Sequence, residues 1–196
     1  MVTNLPLQLT SFVSRDRHIA AIEQLLEGAR LVILVGVGGI GKTRLAMRVA
    51  SNLVPSFADG VWLVELAALN DADMVPEAMA TALDVRQRQG ESPLATLVGA
   101  LSHKQLLLVV DNCEHLVYAC AELVDSLLRM CPSLRLMATS REPLGVAGET
   151  TWRVPLLDVP DPRAGSGVDE IAATEALGQL AVEAGLKVAW FSLGAQ

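Results

Sequence analysis

Residues 36–43 read Gly36-Val37-Gly38-Gly39-Ile40-Gly41-Lys42-Thr43 and satisfy the spacing G-x-x-x-x-G-K-[ST] at every fixed position. That spacing implies chemistry on polyphosphate. Glycines let the backbone turn so tightly that several N–H groups converge on phosphate oxygens, and side chains at Gly38, Gly39 or Gly41 would obstruct the approach. Lys42 supplies a point charge for the outer phosphates and Thr43 a hydroxyl for Mg²⁺, while Gly36, Ile40 and Arg44 complete the cofactor-binding set. A helix opening at about Gly41 would aim the positive end of its dipole at the same anion. The competing reading is a glycine-rich turn with no ligand. Against it stands the context: the apolar run Leu31-Val32-Ile33-Leu34-Val35 precedes, and Leu45, Ala46, Val49 and Leu53 follow at helical spacing until Pro55. The sequence therefore implies a nucleoside triphosphate as ligand.

Residues at two later strand ends belong to this chemistry. Leu106-Leu107-Leu108-Val109-Val110-Asp111 is an apolar run ending in a carboxylate, where Asp111 would support Mg²⁺ through a water beside Thr43. Alternatively, Asp111 caps the next helix, since Asp-Asn pairs are good caps. Asn112 and Glu114 follow, and either could orient an attacking water. Glu114 is open to two readings, a general base or an acidic residue stabilised in a helix's first turn. His115 reads as a surface or packing histidine, because no Cys/His set at metal spacing accompanies it. A further strand ends in Thr139-Ser140-Arg141, which would point Arg141 into the crevice toward a terminal phosphate, unless it is a solvated surface arginine.

These side chains must be held by a scaffold, and composition limits what it can be. The 196 residues suffice for one domain, or one domain plus a fragment of a second. Hydrophobic residues make up 52% and aromatics 4%, with mean hydropathy +0.41, which suits a parallel sheet buried on both faces by Ala- and Leu-rich helices. Net charge is −7 and no basic stripe appears, so direct nucleic-acid binding by this segment is not expected. Cys113, Cys120 and Cys131 form no C-x-x-C pair and read as reduced cytosolic residues. No stretch approaches the roughly eighteen apolar residues of a membrane span, and the start lacks an export signal, so a cytoplasmic protein without membrane contact is expected.

Along the chain, Ile19, Ile22, Leu25 and Leu26 mark a helix from about Ser14 to Ala29 ahead of the first strand. Val61 to Val64 reads as a short strand, and a helix from about Met74 to Leu83 follows Asp73. Arg86 to Glu91 reads as a loop. Ser92-Pro93 opens a helix carrying Leu94, Leu97, Val98 and Leu101. Gln105 to Val110 and Leu134 to Ala138 read as strands. Between them lies a helical stripe, Leu116, Cys120, Leu123, Val124, Leu127 and Leu128, closed by Pro132. Thr151 to Val154 makes a fifth strand. Strands alternating with helices predict a parallel sheet with the ligand at the strands' carboxyl ends. Residues 1–157 form the expected nucleotide-binding domain, 158–168 a linker, and 169–196 an Ala-rich helical fragment and tail.

With these residues assembled, the chain resembles the nucleotide-binding core of STAND signalling ATPases, the NB-ARC-like domains of bacterial LuxR-family multidomain transcriptional regulators. The similarity runs from about Leu5 to Val159. It rests on the lead-in Leu9-Thr10-Ser11-Phe12-Val13-Ser14-Arg15, the phosphate loop, Leu108 to Leu116, and Ala138-Thr139-Ser140-Arg141-Glu142-Pro143-Leu144. The resemblance implies a three-layer P-loop NTPase with a five-stranded parallel sheet of the additional-strand type, holding ATP or ADP with Mg²⁺. It also implies that Phe12, Val13 and Arg15 pack around the base and that Arg141 is a sensor arginine. In such proteins ADP holds a closed form, and exchange for ATP permits self-association or engagement of other regulator domains. Two departures are evident. Ser14 stands where the lead-in commonly has glycine, and the stretch after Gly178 does not match the family's helical segment, so a truncated or divergent member is expected.

The leading functional reading is a regulatory ATP/ADP module with slow or absent hydrolysis. Small-molecule kinases also use phosphate loops, but no arginine-rich lid stands between the later strands. A GTPase would carry Asn-Lys-x-Asp and Asp-x-x-Gly signals, and neither follows the relevant strands. An actively hydrolysing ATPase, with Asp111, Glu114 and Arg141 as its catalytic group, is the remaining alternative.

Overall fold

The computed structural model describes residues 3–7 and 15–156. Phe12, Val13 and Ser14, the expected linker at 158–168 and the expected helical fragment at 169–196 lie outside the described residues. Described residues 3–6 and 17–155 form one compact unit, while 7, 15, 16 and 156 belong to a second.

Among the described residues there are five strands and five α-helices, with two helices between the second and third strands and none between the fourth and fifth. The strands are β1 (Leu31–Val35), β2 (Val61–Glu65), β3 (Leu107–Asp111), β4 (Arg135–Ser140) and β5 (Thr150–Arg153). The helices are α1 (Asp16–Gly28), α2 (Lys42–Leu53), α3 (Val75–Ala82), α4 (Pro93–Leu101) and α5 (Val117–Met130). Among the described residues they give one sheet in the order β2-β3-β4-β1-β5, with every neighbouring pair parallel. The expected α/β P-loop fold is present. β4 is inserted between β3 and β1, as an additional-strand sheet requires.

Because side chains alternate across a strand, the sheet serves two cores at once. Leu31, Ile33 and Val35 of β1, Leu108 and Val110 of β3, and Leu136 and Ala138 of β4 share a cluster with Val75, Met79, Leu97, Leu101, Leu123 and Leu127 from α3, α4 and α5. The alternate residues Val32, Leu34, Leu107, Val109 and Met137 are equally buried, on the face that α2 covers together with Leu45, Ala46 and Val49. β1 and β3 are buried at every position. This is why they read as continuous apolar runs rather than alternating ones.

Boundaries moved by one or two residues from the sequence-based expectation, and two local devices differ. The carboxylate ahead of α3 is Asp71, which accepts from the Asp73 N–H and caps a 3-10 turn at Ala72–Met74. Asp73 itself lies inside that turn. Ser92 caps α4 as expected, accepting from the Ala95 N–H at 3.2 Å. The edge of β2 is also covered. Thr3 bridges Val61, and Asn4 offers its amide as a backbone mimic, accepting from the Leu63 N–H at 2.7 Å and donating to the Leu63 carbonyl at 2.9 Å.

Candidate functional site

The glycine-rich stretch is the β1–α2 connection, at the carboxyl end of the strand flanked on both sides by parallel neighbours. Two glycines there are demanded by backbone conformation: Gly39 has φ +79° and Gly41, immediately before α2, has φ +88°. Both lie in the left-handed region that costs an ordinary residue about 1–2 kcal/mol. A Cβ on Gly39 would meet nothing within 4 Å. Within the protein itself, then, the glycine is required by the turn rather than by crowding.

Lys42 is buried at 8% exposure, and its ammonium donates to the carbonyls of Gly36 at 2.9 Å and Val37 at 3.1 Å. The side chain thus curls into the loop, spending two of its three donors on it. Thr43 follows in the first turn of α2. Its hydroxyl donates to Asp111, with Oδ1 at 2.8 Å and Oδ2 at 3.1 Å. Arg44 is half-buried one residue further on, Ile40 is buried behind the loop, and Arg15 is buried just ahead of α1.

Asp111 ends β3, 7% exposed. The helix-capping alternative is not realised: the 3-10 turn Cys113–His115 that follows has no side-chain cap, and both Asp111 oxygens face Thr43 instead. Asn112 adopts a left-handed conformation, φ 66° and ψ 50°, and turns its amide toward His115 at 3.5 Å. His115 is exposed, with Nε2 2.7 Å from the Leu69 carbonyl.

Glu114 and Arg141 meet across the mouth. Arg141 Nε donates to Glu114 Oε1 at 3.2 Å; the carboxylate is 14% exposed and the guanidinium 67%. The second carboxylate oxygen, Oε2, is buried without a partner. The same guanidinium leans over the phosphate loop, with Nη2 3.7 Å from where a Cβ on Gly38 would stand. The loop, Lys42, the Thr43–Asp111 pair and Arg141 therefore gather at the carboxyl ends of β1, β3 and β4.

A hydroxyl and a carboxylate 2.8 Å apart are hard oxygen donors of the kind Mg²⁺ takes, with water completing its shell. No group of three or more His, Cys, Asp or Glu arranged for a metal occurs among the described residues. Elsewhere, a groove of about 650 Å³ lies between α3, α4 and α5, lined by Pro76, Leu94, Tyr118 and Glu122 among others. It shares no residue with the loop.

Sequence reasoning missed Thr139 as a separate participant. It is 1% exposed and donates to Asp111 Oδ1 at 2.6 Å. Its only signal was position, two residues before Arg141.

The family model for the AAA domain matches residues 24–146, and the chain belongs to that family. It is 45% identical over 151 residues to "Uncharacterized protein Rv0894" of Mycobacterium tuberculosis, an alignment covering 77% of this chain and 38% of that protein. It is also 45% identical over 137 residues to "Putative HTH-type transcriptional regulator Rv0890c" of the same organism, covering 70% of this chain and 15% of the regulator. This chain therefore spans well under half the length of these relatives. Among solved structures, the STAND protein with a tetratricopeptide repeat sensor, PH0952 from Pyrococcus horikoshii, superposes with TM-score 0.55 at 17% identity, covering 90% of this chain and 29% of that one. At that identity the likeness concerns fold. No helix among the described residues is long and apolar enough to cross a membrane.

Proposed function

We propose that this chain is an ATP/ADP-binding regulatory module of a signal-transduction ATPase, STAND and NB-ARC-like, serving a transcriptional regulator of the LuxR type. The observation that carries the reading is the double engagement of Arg141. It leans over Gly38, 3.7 Å from the position of a Cβ, while holding Glu114 at 3.2 Å. A terminal phosphate competes with a carboxylate for the same guanidinium, so ATP and ADP make different contacts with the β4 end. Only such differential contact shifts an equilibrium between two forms.

In this reading Gly36, Gly38, Gly39, Ile40 and Gly41 present backbone amides to the phosphates, Lys42 neutralises their outer charge, and Arg44 flanks them from the first turn of α2. Thr43 and Asp111 hold Mg²⁺, which when bound neutralises charge between phosphates. By the same family resemblance, Phe12, Val13 and Arg15 are assigned to the base of the nucleotide. Glu114, engaged by Arg141, is poorly disposed to take a proton from water, which accords with slow hydrolysis. Residues 1–157 are the nucleotide domain, 158–168 a linker and 169–196 a helical fragment. The protein works in the cytoplasm, associating with itself or with other regulator domains. Resemblance to a regulator at 45% identity supports the transcriptional setting.

The test is calorimetry of ATP and ADP with Mg²⁺ against wild type and Lys42→Ala. A charge-assisted hydrogen bond contributes about 1.5–3 kcal/mol, so the variant should bind roughly 10- to 150-fold more weakly. Equal affinities would reject the assignment. The unpartnered Oε2 of Glu114 favours a second reading, an actively hydrolysing ATPase with Glu114 as base. Turnover above roughly one per second would select it.

A further inference from the structure

We propose that Thr139 is a positioning residue that sets the orientation of Asp111 and so determines how strongly Mg²⁺ assists nucleotide binding. The inference deepens the reading above and rests on Asp111 being the metal-facing carboxylate.

The hydrogen bonds of Thr139 have only one possible direction. The Asn112 backbone N–H, 2.9 Å from Oγ1, can only donate, so the hydroxyl oxygen accepts there. An ionised carboxylate can only accept, so the single hydroxyl proton goes to Asp111 Oδ1 at 2.6 Å. With Thr139 1% exposed, water does not compete for either bond. One side chain therefore fixes both the Asp111 carboxylate and the backbone of the next residue, the left-handed Asn112 that turns the chain toward Glu114.

The consequence lies in how the two carboxylate oxygens are used. Oδ1 accepts from Thr139 at 2.6 Å and from Thr43 at 2.8 Å, while Oδ2 has only the longer approach of Thr43 at 3.1 Å. Oδ1 is saturated and Oδ2 remains the better acceptor for a hydrated cation. Without the Thr139 donor the carboxylate can rotate to follow Thr43 alone, and the preference is lost.

Sheet order makes this possible. β4 lies between β3 and β1, with Val110 opposite Ala138 and Leu34 opposite Thr139. The next row places Thr139 beside Asp111, on the face that also carries Thr43. Outer hydrogen bonds of this kind typically alter metal affinity 10- to 100-fold.

The experiment measures ADP affinity by calorimetry, once with Mg²⁺ and once in EDTA, for wild type, Thr139→Val and Thr139→Ser. Wild type should gain affinity with Mg²⁺. The valine variant, nearly isosteric but without a hydroxyl, should bind ADP in EDTA as wild type does while losing roughly tenfold or more of the Mg²⁺ gain. Serine should restore it. Retention of the full gain by the valine variant would overturn the proposal, as would serine failing like valine, or affinity in EDTA falling in step with affinity in Mg²⁺. If thermal unfolding shows that the valine variant does not fold, Thr139→Ala gives the same contrast against serine. Wild type binding no ADP would remove the nucleotide site itself, and wild type binding ADP with no Mg²⁺ gain would remove the metal role of Asp111. Either result is distinct from any variant outcome, and the inference falls with it.

Discussion

Arg141 shows how little a residue's own exposure says about its contacts. At 67% exposure it would pass for an ordinary surface arginine, yet it pairs with a largely buried carboxylate and overhangs Gly38. Exposed ion pairs contribute about 0–1 kcal/mol, so stability alone gives it little to do. Arg141→Ala should accordingly leave the unfolding temperature nearly unchanged while reducing the preference for ATP over ADP by about tenfold, a difference of about 1.4 kcal/mol. An unchanged ratio in paired calorimetric titrations would return Arg141 to the surface category. At this scale the gathering of Lys42, Thr43, Asp111 and Arg141 at neighbouring strand ends was legible, because the phosphate-loop spacing and the two apolar runs fix where each stands. Thr139 was not, since a threonine in an apolar strand is unremarkable until its neighbour across the sheet is known.

Helices and strands show a similar division. Capping by Ser92 and the closure of α2 at Pro55 are written locally, because each depends on a few adjacent residues. The end of α5 is not. Arg30, which stands just before β1, donates to the carbonyl of Leu128 in the helix's last turn and of Cys131 at its cap, at 2.7 Å each, and to Leu134 beyond it at 3.3 Å. A guanidinium nearly a hundred residues away in sequence thus serves as the cap, and the Cys131 thiol is pushed up by burial there. Arg30→Ala leaves those carbonyls without their charged donor and should destabilise the protein by about 2 kcal/mol. Differential scanning calorimetry would register this as a lower melting temperature; no change would mean that water replaces the guanidinium at no cost. Asn4 on the edge of β2 belongs with Arg30, since both mend an element from outside it.

Over the whole molecule, the two-sided sheet explains the composition: a core on each face takes many aliphatic residues and few aromatics. It also explains the thiols, which follow burial rather than chemistry. Cys113, Cys120 and Cys131 are free and buried; the hydrogen bond between Cys113 and Cys120, with burial, pushes the Cys113 thiol well up, and the same bond draws the Cys120 thiol down. Because a reagent reaches a buried sulfur only when the packing opens, a thiol reagent at pH 8 should modify the native protein no faster than it unfolds, with nucleotide slowing the reaction further. Rapid labelling of any of the three under native conditions would contradict that packing. The sequence by itself determined the local choices: a phosphate loop after a buried strand, the alternation of elements, and the carboxylate and arginine at two strand ends. All of these depend on near neighbours along the chain. Strand order and register were decided only by the tertiary structure, because nothing local to β4 says that it lies between β3 and β1. That insertion brings Thr139 to Asp111 and Arg141 to Gly38, and a one-residue slip in it would turn Thr139 to the opposite face.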